Sequence, residues 1–217
     1  MKTTLIFDLD GTLLDTIDDL ANSLNYVLAA HGYPTHSRAV MMQMVGNGLA
    51  TLVTRALPGG RDDSQFDAIF AEFVARYAEH KAELTAPYPG IREMLSSLGA
   101  AGYRLAVVSN KMDAAVRELI PSYFGDLIPI AIGEREGVAR KPAPDMVFEA
   151  LRRLGATPGE AYFIGDSEVD VVTARNAGVD CLAVTWGLRS EQTLREAGAT
   201  ALFHTAAALS DFLLAGK

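Results

Sequence analysis

Short, uninterrupted apolar runs recur along the chain and predict buried strands. They lie at residues 5–7, 105–108, 128–132, 162–164 and 182–185. None of them alternates with polar residues, which is typical of a parallel sheet that is covered on both faces. Between these runs, apolar residues recur at helical spacing, as in Ile91, Met94, Leu95 and Leu98. Strands that alternate with helices predict an α/β fold, a Rossmann-like open parallel sheet with right-handed crossovers.

The connection after the first strand is far longer than a crossover requires. It covers 101 positions from Asp8 to Ser109, whereas a parallel crossover needs roughly a dozen or more residues. Two apolar stripes with helical spacing lie inside it: Ile17, Leu20, Ala21, Leu24, Val27 and Leu28, then Phe66, Ile69, Phe70, Phe73, Val74 and Tyr77. Stripes of this kind must be buried against a neighbour. We therefore expect a helical domain at 16–84, inserted into an α/β core formed by 1–15 and 85–217.

The composition and net charge of the chain exclude some classes of binding partner. The chain has 217 residues, with 19 Lys and Arg against 27 Asp and Glu, and a formal charge of −8. No basic stripe is present, so a nucleic-acid partner is not expected. No segment approaches the ~20 apolar residues of a membrane helix, and the N-terminal apolar run is too short for a signal peptide. The single cysteine, Cys181, indicates a reducing compartment, and we expect a cytoplasmic protein.

Polar side chains follow three of the predicted strands at the point where each strand ends. Asp8 and Asp10 follow the first, Ser109 and Asn110 follow the second, and Asp166 follows a later one, with Asp170 four residues on. Ligands of open α/β sheets bind at the carboxyl ends of the strands, so these side chains should converge. Converging carboxylates repel one another, and a hard cation such as Mg²⁺, which prefers oxygen ligands, relieves that repulsion. An Asp can then act as a nucleophile at phosphorus, and a second Asp can transfer protons.

A phosphate group also needs hydrogen-bond donors. Gly11 and Thr12 offer backbone N–H groups in a tight turn, and Ser109 and Asn110 offer a hydroxyl and an amide. Lys141 precedes a proline, which favours an extended backbone and allows the ammonium to reach the carboxylates. Each of these short motifs is common in ordinary turns, and only their joint placement at strand ends predicts a site.

Other conspicuous residues have ordinary explanations. The acidic residues Asp15, Asp18 and Asp19 are expected to open a helix, where negative charge suits the helix dipole. The segment Gly46-Asn47-Gly48 lacks the remaining features of a dinucleotide-binding motif and is read as a loop leading into a helix. The four histidines show no i, i+4 pair, so a zinc site is not expected.

Taken together, the motifs resemble a known superfamily. Residues 7–13, Ser109-Asn110, Lys141-Pro142 and 164–166 with Asp170 resemble the four ordered motifs of the haloacid dehalogenase-like hydrolases. The inserted helical segment resembles the type-1 cap of that superfamily. Residues 44–49 and the overall length are similar to its phosphoglycolate phosphatase branch. The resemblance covers essentially the whole chain.

The resemblance implies a role for each matching residue. Asp8 is the expected nucleophile and a metal ligand, Asp10 the general acid and base whose backbone carbonyl also binds the metal, and Asp166 a further metal ligand. The remaining residues are implied to position the phosphate and the ligands. Gly11 and Thr12 form the loop, and Ser109 and Asn110 hold the phosphoryl oxygens. Lys141 neutralises their charge, and Asp170 orients the ligands or Lys141. The implied activity is Mg²⁺-dependent hydrolysis of a small phosphorylated metabolite, 2-phosphoglycolate being the best candidate, by a monomer or homodimer.

Several alternatives remain open at this stage. Asp10 argues against a dehalogenase or a phosphonatase, which lack this second aspartate. A phosphomutase of the β-phosphoglucomutase type would carry an arginine-bearing specificity loop in the cap, and Arg38 and Arg55 are available there. A pyrophosphatase, a nucleotidase of the same superfamily and a non-catalytic binding protein with a relic site also remain.

Overall fold

The computed structural model of the protein describes residues 2–46 and 48–216, which form two compact units. One unit is Asp15–Ala86, and the other is the α/β unit formed by the described residues on either side of it. The strands are β1 Thr4–Phe7, β2 Leu14–Asp15, β3 Ala86–Pro87, β4 Arg104–Met112, β5 Ile130–Glu134, β6 Ala161–Gly165, β7 Asp180–Val184 and β8 Ala201–Phe203. The α-helices are α1 Ile17–Ala30, α2 Arg38–Met44, α3 Leu49–Ala56, α4 Phe66–His80, α5 Ile91–Ala100, α6 Asp113–Phe124, α7 Asp145–Leu154, α8 Glu168–Ala177, α9 Glu191–Glu196 and α10 Ala206–Ala215.

The α/β unit is built on a six-stranded parallel sheet with the order β5-β4-β1-β6-β7-β8. This confirms the predicted fold class. β1 lies near the centre, with Phe7 paired to Val107 on one side and to Ile164 on the other. The short strands β2 and β3 form a separate two-stranded sheet where the chain passes between the units.

Alternation along β1 shows how the sheet is sealed on both faces. Leu5 and Phe7 point into one apolar cluster, and Ile6 points into another, because successive side chains of a strand face opposite sides. All three are fully buried. Complete burial removes about 1.5–3 kcal/mol of apolar hydration cost per side chain. The strand is thereby fixed, and the next residue, Asp8, has a defined position at its carboxyl end.

Two features of the sheet differ from the sequence prediction. The second predicted strand ended at Val108, but β4 continues through Met112, with a shift in its pairing to β5 between Val108 and Met112. Ser109 and Asn110 therefore lie within an irregular strand end. The edge strand β8 was not predicted, because its apolar run is only three residues long, Ala201–Phe203, which is too short to indicate a strand.

The inserted unit, Asp15–Ala86, contains α1 to α4. The apolar stripe of α1 is buried along its length, and α1 packs against α4. In the second predicted stripe Phe70 and Val74 are only half-buried. Asn47, in the glycine-containing loop, lies outside the described residues. Among the helices that the structure describes, none has the length and apolarity that crossing a bilayer demands.

One member of the acidic cluster in this unit does more than suit a helix dipole. Asp19 is buried and accepts hydrogen bonds from the backbone N–H groups of Leu84 and Thr85 and from the Thr85 hydroxyl, at 2.7–3.1 Å. It therefore ties the end of the helical unit to α1. Its neighbours Asp15 and Asp18 pair with Arg38 at 2.8 and 2.9 Å.

Candidate active site

Three aspartates from two distant segments of the chain meet at the carboxyl ends of the central strands. Asp8 follows β1, Asp166 follows β6, and Asp170 lies in the first turn of α8. All three are buried, and each offers a carboxylate oxygen within 4.8 Å of the other two. Over the described part of the chain, no other group of His, Cys, Asp and Glu side chains meets this spacing. We refer to these residues as the aspartate triad.

Among the described residues, one buried lysine is ion-paired with the aspartate triad. The Lys141 ammonium lies 2.8 Å from Asp8 Oδ1 and 2.7 Å from Asp170 Oδ1. The second oxygen of Asp170 accepts hydrogen bonds from the hydroxyl and the backbone N–H of Ser167, which caps α8 in return. Asp170 therefore caps the first turn of α8 and contacts the Lys141 ammonium with the same carboxylate, and its positioning role stays a prediction.

The electrostatics of the aspartate triad favour uptake of positive charge. Burial, followed by repulsion from Asp170, raises the pKa of Asp8 to about 8. Burial and the same repulsion raise the pKa of Asp166 to about 7. Burial alone would lower the pKa of Lys141, but attraction from Asp170 and Asp8 outweighs it and raises the pKa. One ammonium thus fails to compensate three carboxylates.

The groups present fit a hard divalent cation. The donor set consists of carboxylate oxygens, the ligands that such cations prefer. Asp8 Oδ1 is buried and has no hydrogen-bond partner, and its short contact with Lys141 is an ion pair without hydrogen-bond geometry. Three glycines also leave room for the carboxylates, since a Cβ at Gly11 or Gly187 would overlap Asp166 and one at Gly165 would overlap Asp170.

The loop after β1 is held by its own hydrogen bonds. The Gly11 N–H donates to the Leu14 carbonyl at 2.9 Å, and the Thr12 N–H donates to the Leu9 carbonyl at 3.3 Å. The prediction that these two N–H groups bind a phosphate is therefore corrected, because both are used to close the turn. The Thr12 hydroxyl instead donates to Asp166 Oδ1 at 2.9 Å and joins the end of β1 to the end of β6.

Asn110 acts on Lys141 through the backbone. Its side-chain amide donates to the Lys141 carbonyl at 2.9 Å, and its side-chain oxygen accepts from the Lys141 N–H at 2.8 Å. The predicted role of this amide on a phosphoryl oxygen stays a prediction, since the amide nitrogen carries a second N–H besides the one that binds the Lys141 carbonyl. Ser109 is buried, and its hydroxyl accepts from the Lys111 N–H at 3.2 Å, so its contact with a phosphoryl group stays a prediction.

Two parts of the site were missed by the sequence analysis. Lys111 lies beside Asp10, with its ammonium 3.1 Å from Oδ1. A charged residue directly after Ser109-Asn110 was a visible signal for it. In the loop after β7, the Trp186 indole N–H donates to the Thr12 carbonyl at 3.0 Å. The backbone N–H of Leu188 in the same loop was missed as well, and it donates to Asp166 Oδ2 at 2.7 Å. Backbone donors leave no signal in the sequence.

Comparison with known proteins decides the family. The profile of the family described as haloacid dehalogenase-like hydrolase matches residues 5–184. The chain belongs to this family. It is 37% identical over 189 residues to the phosphoglycolate phosphatase of Pseudomonas putida, covering 84% of this chain and 69% of that one. It is 35% identical over 221 residues to that of Rhodospirillum rubrum, covering 98% and 91%.

Solved structures agree with this family assignment. A proposed phosphoglycolate phosphatase from Lactobacillus delbrueckii subsp. bulgaricus has a TM-score of 0.94 and 36% sequence identity, covering 98% of this chain and 99% of that one. CbbY from Rhodobacter sphaeroides, solved in complex with phosphate, has a TM-score of 0.77 and 26% identity, with 96% of each chain covered. The predictions of a haloacid dehalogenase-like hydrolase and of a phosphatase are both confirmed.

Proposed function

We propose that the protein is a Mg²⁺-dependent phosphatase that hydrolyses 2-phosphoglycolate, or a similarly small phosphorylated metabolite, through a phosphorylated Asp8. The observation that carries this proposal is Asp8 itself. Its carboxylate is buried at the end of a central strand, and its Oδ1 has no hydrogen-bond partner. A carboxylate in this state is available for a cation and for attack on phosphorus.

The proposed reaction proceeds in two displacements at phosphorus. In the first, an Asp8 oxygen forms a bond to phosphorus, the bond to the leaving oxygen breaks, and Asp10 gives that oxygen a proton. In the second, water attacks the phosphorus of the Asp8 phosphate, Asp10 takes a proton from the water, and the Asp8–phosphorus bond breaks. Inorganic phosphate leaves and both side chains return to their starting states.

The other residues of the site balance charge in both steps. Lys141, held by Asp170 and by the backbone bonds from Asn110, places a permanent positive charge against Asp8. We propose that Mg²⁺ is held by Asp8, Asp166 and the backbone carbonyl of Asp10. When bound, Mg²⁺ supplies positive charge that stabilises the negative charge of the phosphoryl oxygens.

The proposed substrate follows from the relatives. Proteins called phosphoglycolate phosphatase match 84% and 98% of this chain at 37% and 35% identity. We extend the name of their substrate to this chain as a proposal, together with the cap role of the helical unit.

A phosphomutase is the second candidate, and the arginines named for it give it little support. Arg38 is paired with Asp15 and Asp18, and Arg55 donates to the Met44 carbonyl at 2.8 Å. Both guanidinium groups thus have partners within the helical unit. Isomerisation of a sugar phosphate without release of phosphate would decide for the mutase, and a panel that includes pyrophosphate and nucleotides tests the remaining alternatives.

The central experiment removes the nucleophile. We expect Asp8→Asn to lower phosphate release from 2-phosphoglycolate by at least about 10³-fold, because the amide cannot form the covalent intermediate. Wild-type turnover should also be lost in EDTA and recover with added Mg²⁺.

Asp180→Asn is the matched control, because Asp180 is an exposed aspartate of the same unit whose ion pair with Lys2 lies outside the triad. It should keep activity within about twofold of wild type. More than a few per cent of residual activity in a folded Asp8→Asn variant would exclude the covalent route.

A further inference from the structure

Lys111 has a buried ammonium that the proposed reaction does not use. Its side chain is only 5% exposed, and its Nζ donates to Asp10 Oδ1 at 3.1 Å and to Oδ2 at 3.4 Å. Lys111 belongs to β4, three positions after the fully buried Val108, and its backbone N–H donates to the Ser109 hydroxyl at 3.2 Å. A charge-assisted hydrogen bond from a buried ammonium limits the orientations that its carboxylate partner can adopt.

Asp10 differs from the aspartate triad in what its surroundings leave open. Its side chain is 19% exposed, whereas the members of the triad are more deeply buried. A carboxylate has about four acceptor positions, and Lys111 occupies only the side from which it approaches. The remaining positions stay available for a proton-bearing oxygen of a substrate or of water.

We propose that Lys111 is a positioning residue that fixes the orientation of the Asp10 carboxylate for proton transfer, an inference that rests on the function proposed above. The leaving oxygen and the attacking water take the same place opposite Asp8, one after the other. A single fixed orientation of Asp10 therefore serves both steps. Misplacement of a catalytic group by about 1 Å can cost on the order of 10²-fold in rate.

A contrasting explanation is that Lys111 binds an anionic group of the substrate. That role would make Lys111 act on substrate affinity and independently of Asp10. A purely structural role would likewise be independent of Asp10. The coupling between the two side chains therefore separates the proposal from both alternatives.

The test is a double-mutant cycle with Lys111→Met and Asp10→Asn, assayed on p-nitrophenyl phosphate. This substrate has a good leaving group, so that the Asp10→Asn variant stays measurable. We expect Lys111→Met to lower kcat about 10- to 100-fold with KM changed less than about twofold. In the Asp10→Asn background the same substitution should lower kcat less than about threefold.

Controls keep the result interpretable. Lys2→Met removes another ion-paired lysine of the same unit and should leave kcat within about twofold. Melting curves establish that each variant folds. If Lys111→Met does not fold, Lys111→Gln, which keeps a hydrogen-bond donor, takes its place.

Three results would overturn the proposal: equal losses in both backgrounds, a loss confined to KM, or a loss of kcat below about twofold in a folded variant. The proposed function fails separately, namely if Asp10→Asn itself leaves kcat and kcat/KM unaltered. If Asp10→Asn lowers kcat but shows no coupling to Lys111, only the positioning role of Lys111 is contradicted.

Discussion

The protein contains two groups of three aspartates, and their surroundings are opposite. In the helical unit, Asp15 and Asp18 share the guanidinium of Arg38, and Asp19 accepts hydrogen bonds from Leu84 and Thr85. Each carboxylate there has donors supplied by its own unit. In the aspartate triad of the α/β unit, one ammonium faces three buried carboxylates, and Asp8 Oδ1 accepts no hydrogen bond.

The difference shows how a structural acidic cluster is told apart from a ligand site. Buried polar groups are nearly always satisfied in a folded protein, because an unpaired one costs about 1–3 kcal/mol. Asp19 follows that rule, because its carboxylate accepts hydrogen bonds that stabilise the fold. Asp8 differs, because it shares its ammonium partner, Lys141, with Asp170, and undercompensated buried carboxylates of this kind are typical of functional sites.

The largest effect is expected from removing the one cation of the triad. Lys141→Met leaves three buried carboxylates without a counter-charge, and we expect a loss of about 3–5 kcal/mol in the free energy of unfolding at pH 8 without metal. Phosphatase activity should fall at least about 10³-fold. Urea unfolding in EDTA and phosphate-release assays measure the two effects. Lys2→Met is the control, and an equal effect of both variants would contradict the role of Lys141.

The second effect is the part of the pH dependence of stability that the triad contributes. Asp8 and Asp166 have pKa values of about 8 and 7 in the fold, against an ordinary value of 3.8. Between about pH 4 and those values the folded protein binds more protons than the unfolded chain. The free energy of unfolding therefore falls as pH rises, by up to about 1.4 kcal/mol per pH unit for each group.

Asp8→Asn should flatten this slope between pH 5.5 and 8 in metal-free buffer. Urea titrations at several pH values measure it, with Asp180→Asn as the control that keeps the wild-type slope. Added Mg²⁺ should stabilise wild type more at pH 8 than at pH 5.5, because metal binding requires ionised carboxylates. Identical slopes in wild type and Asp8→Asn would contradict the raised pKa of Asp8.

A smaller effect is expected from the satisfied cluster of the helical unit. Asp19→Ala leaves the Leu84 and Thr85 donors without their acceptor, which should cost about 2–3 kcal/mol of unfolding free energy. The pH slope assigned to the triad should not change. Asp67→Ala, which removes an exposed carboxylate of the same unit, is the control. If Asp19→Ala changed the pH slope, the slope could not be assigned to the triad, and the prediction would be contradicted.

The smallest effect is expected at Asp18. Its ion pair with Arg38 is nearly half exposed on both sides, so Asp18→Asn should cost less than about 1 kcal/mol, and less still at high salt. Thermal melts at low and high ionic strength measure this difference. A cost as large as that of Asp19→Ala would mean that burial does not separate the members of this cluster.

The sequence predicted the parts of the site that rest on apolar patterning. The runs that became β1 and β6 are continuous and apolar, so their carboxyl ends, and with them Asp8 and Asp166, could be placed at one edge of a sheet. Asp170 could be placed because it lies four residues beyond Asp166, at the start of a helix.

What the sequence could not predict depends on hydrogen-bond geometry. The two hydrogen bonds by which the Asn110 side chain holds the Lys141 backbone leave no pattern in the sequence. Gly11 and Thr12 read as free donors until the closure of the turn is visible. The role of Asp19 depends on a contact more than sixty residues away, which no local pattern records.

The position of the insertion has a consequence for synthesis on the ribosome. β1 emerges first, yet Thr4 pairs with Arg104, so the central strand of the sheet lacks a partner until about 100 further residues have been made. At about 5–20 residues per second, that delay lasts roughly 5–20 seconds. The helices α1 to α4 are complete within this interval, and the nascent chain can fold its inserted unit while β1 waits for β4.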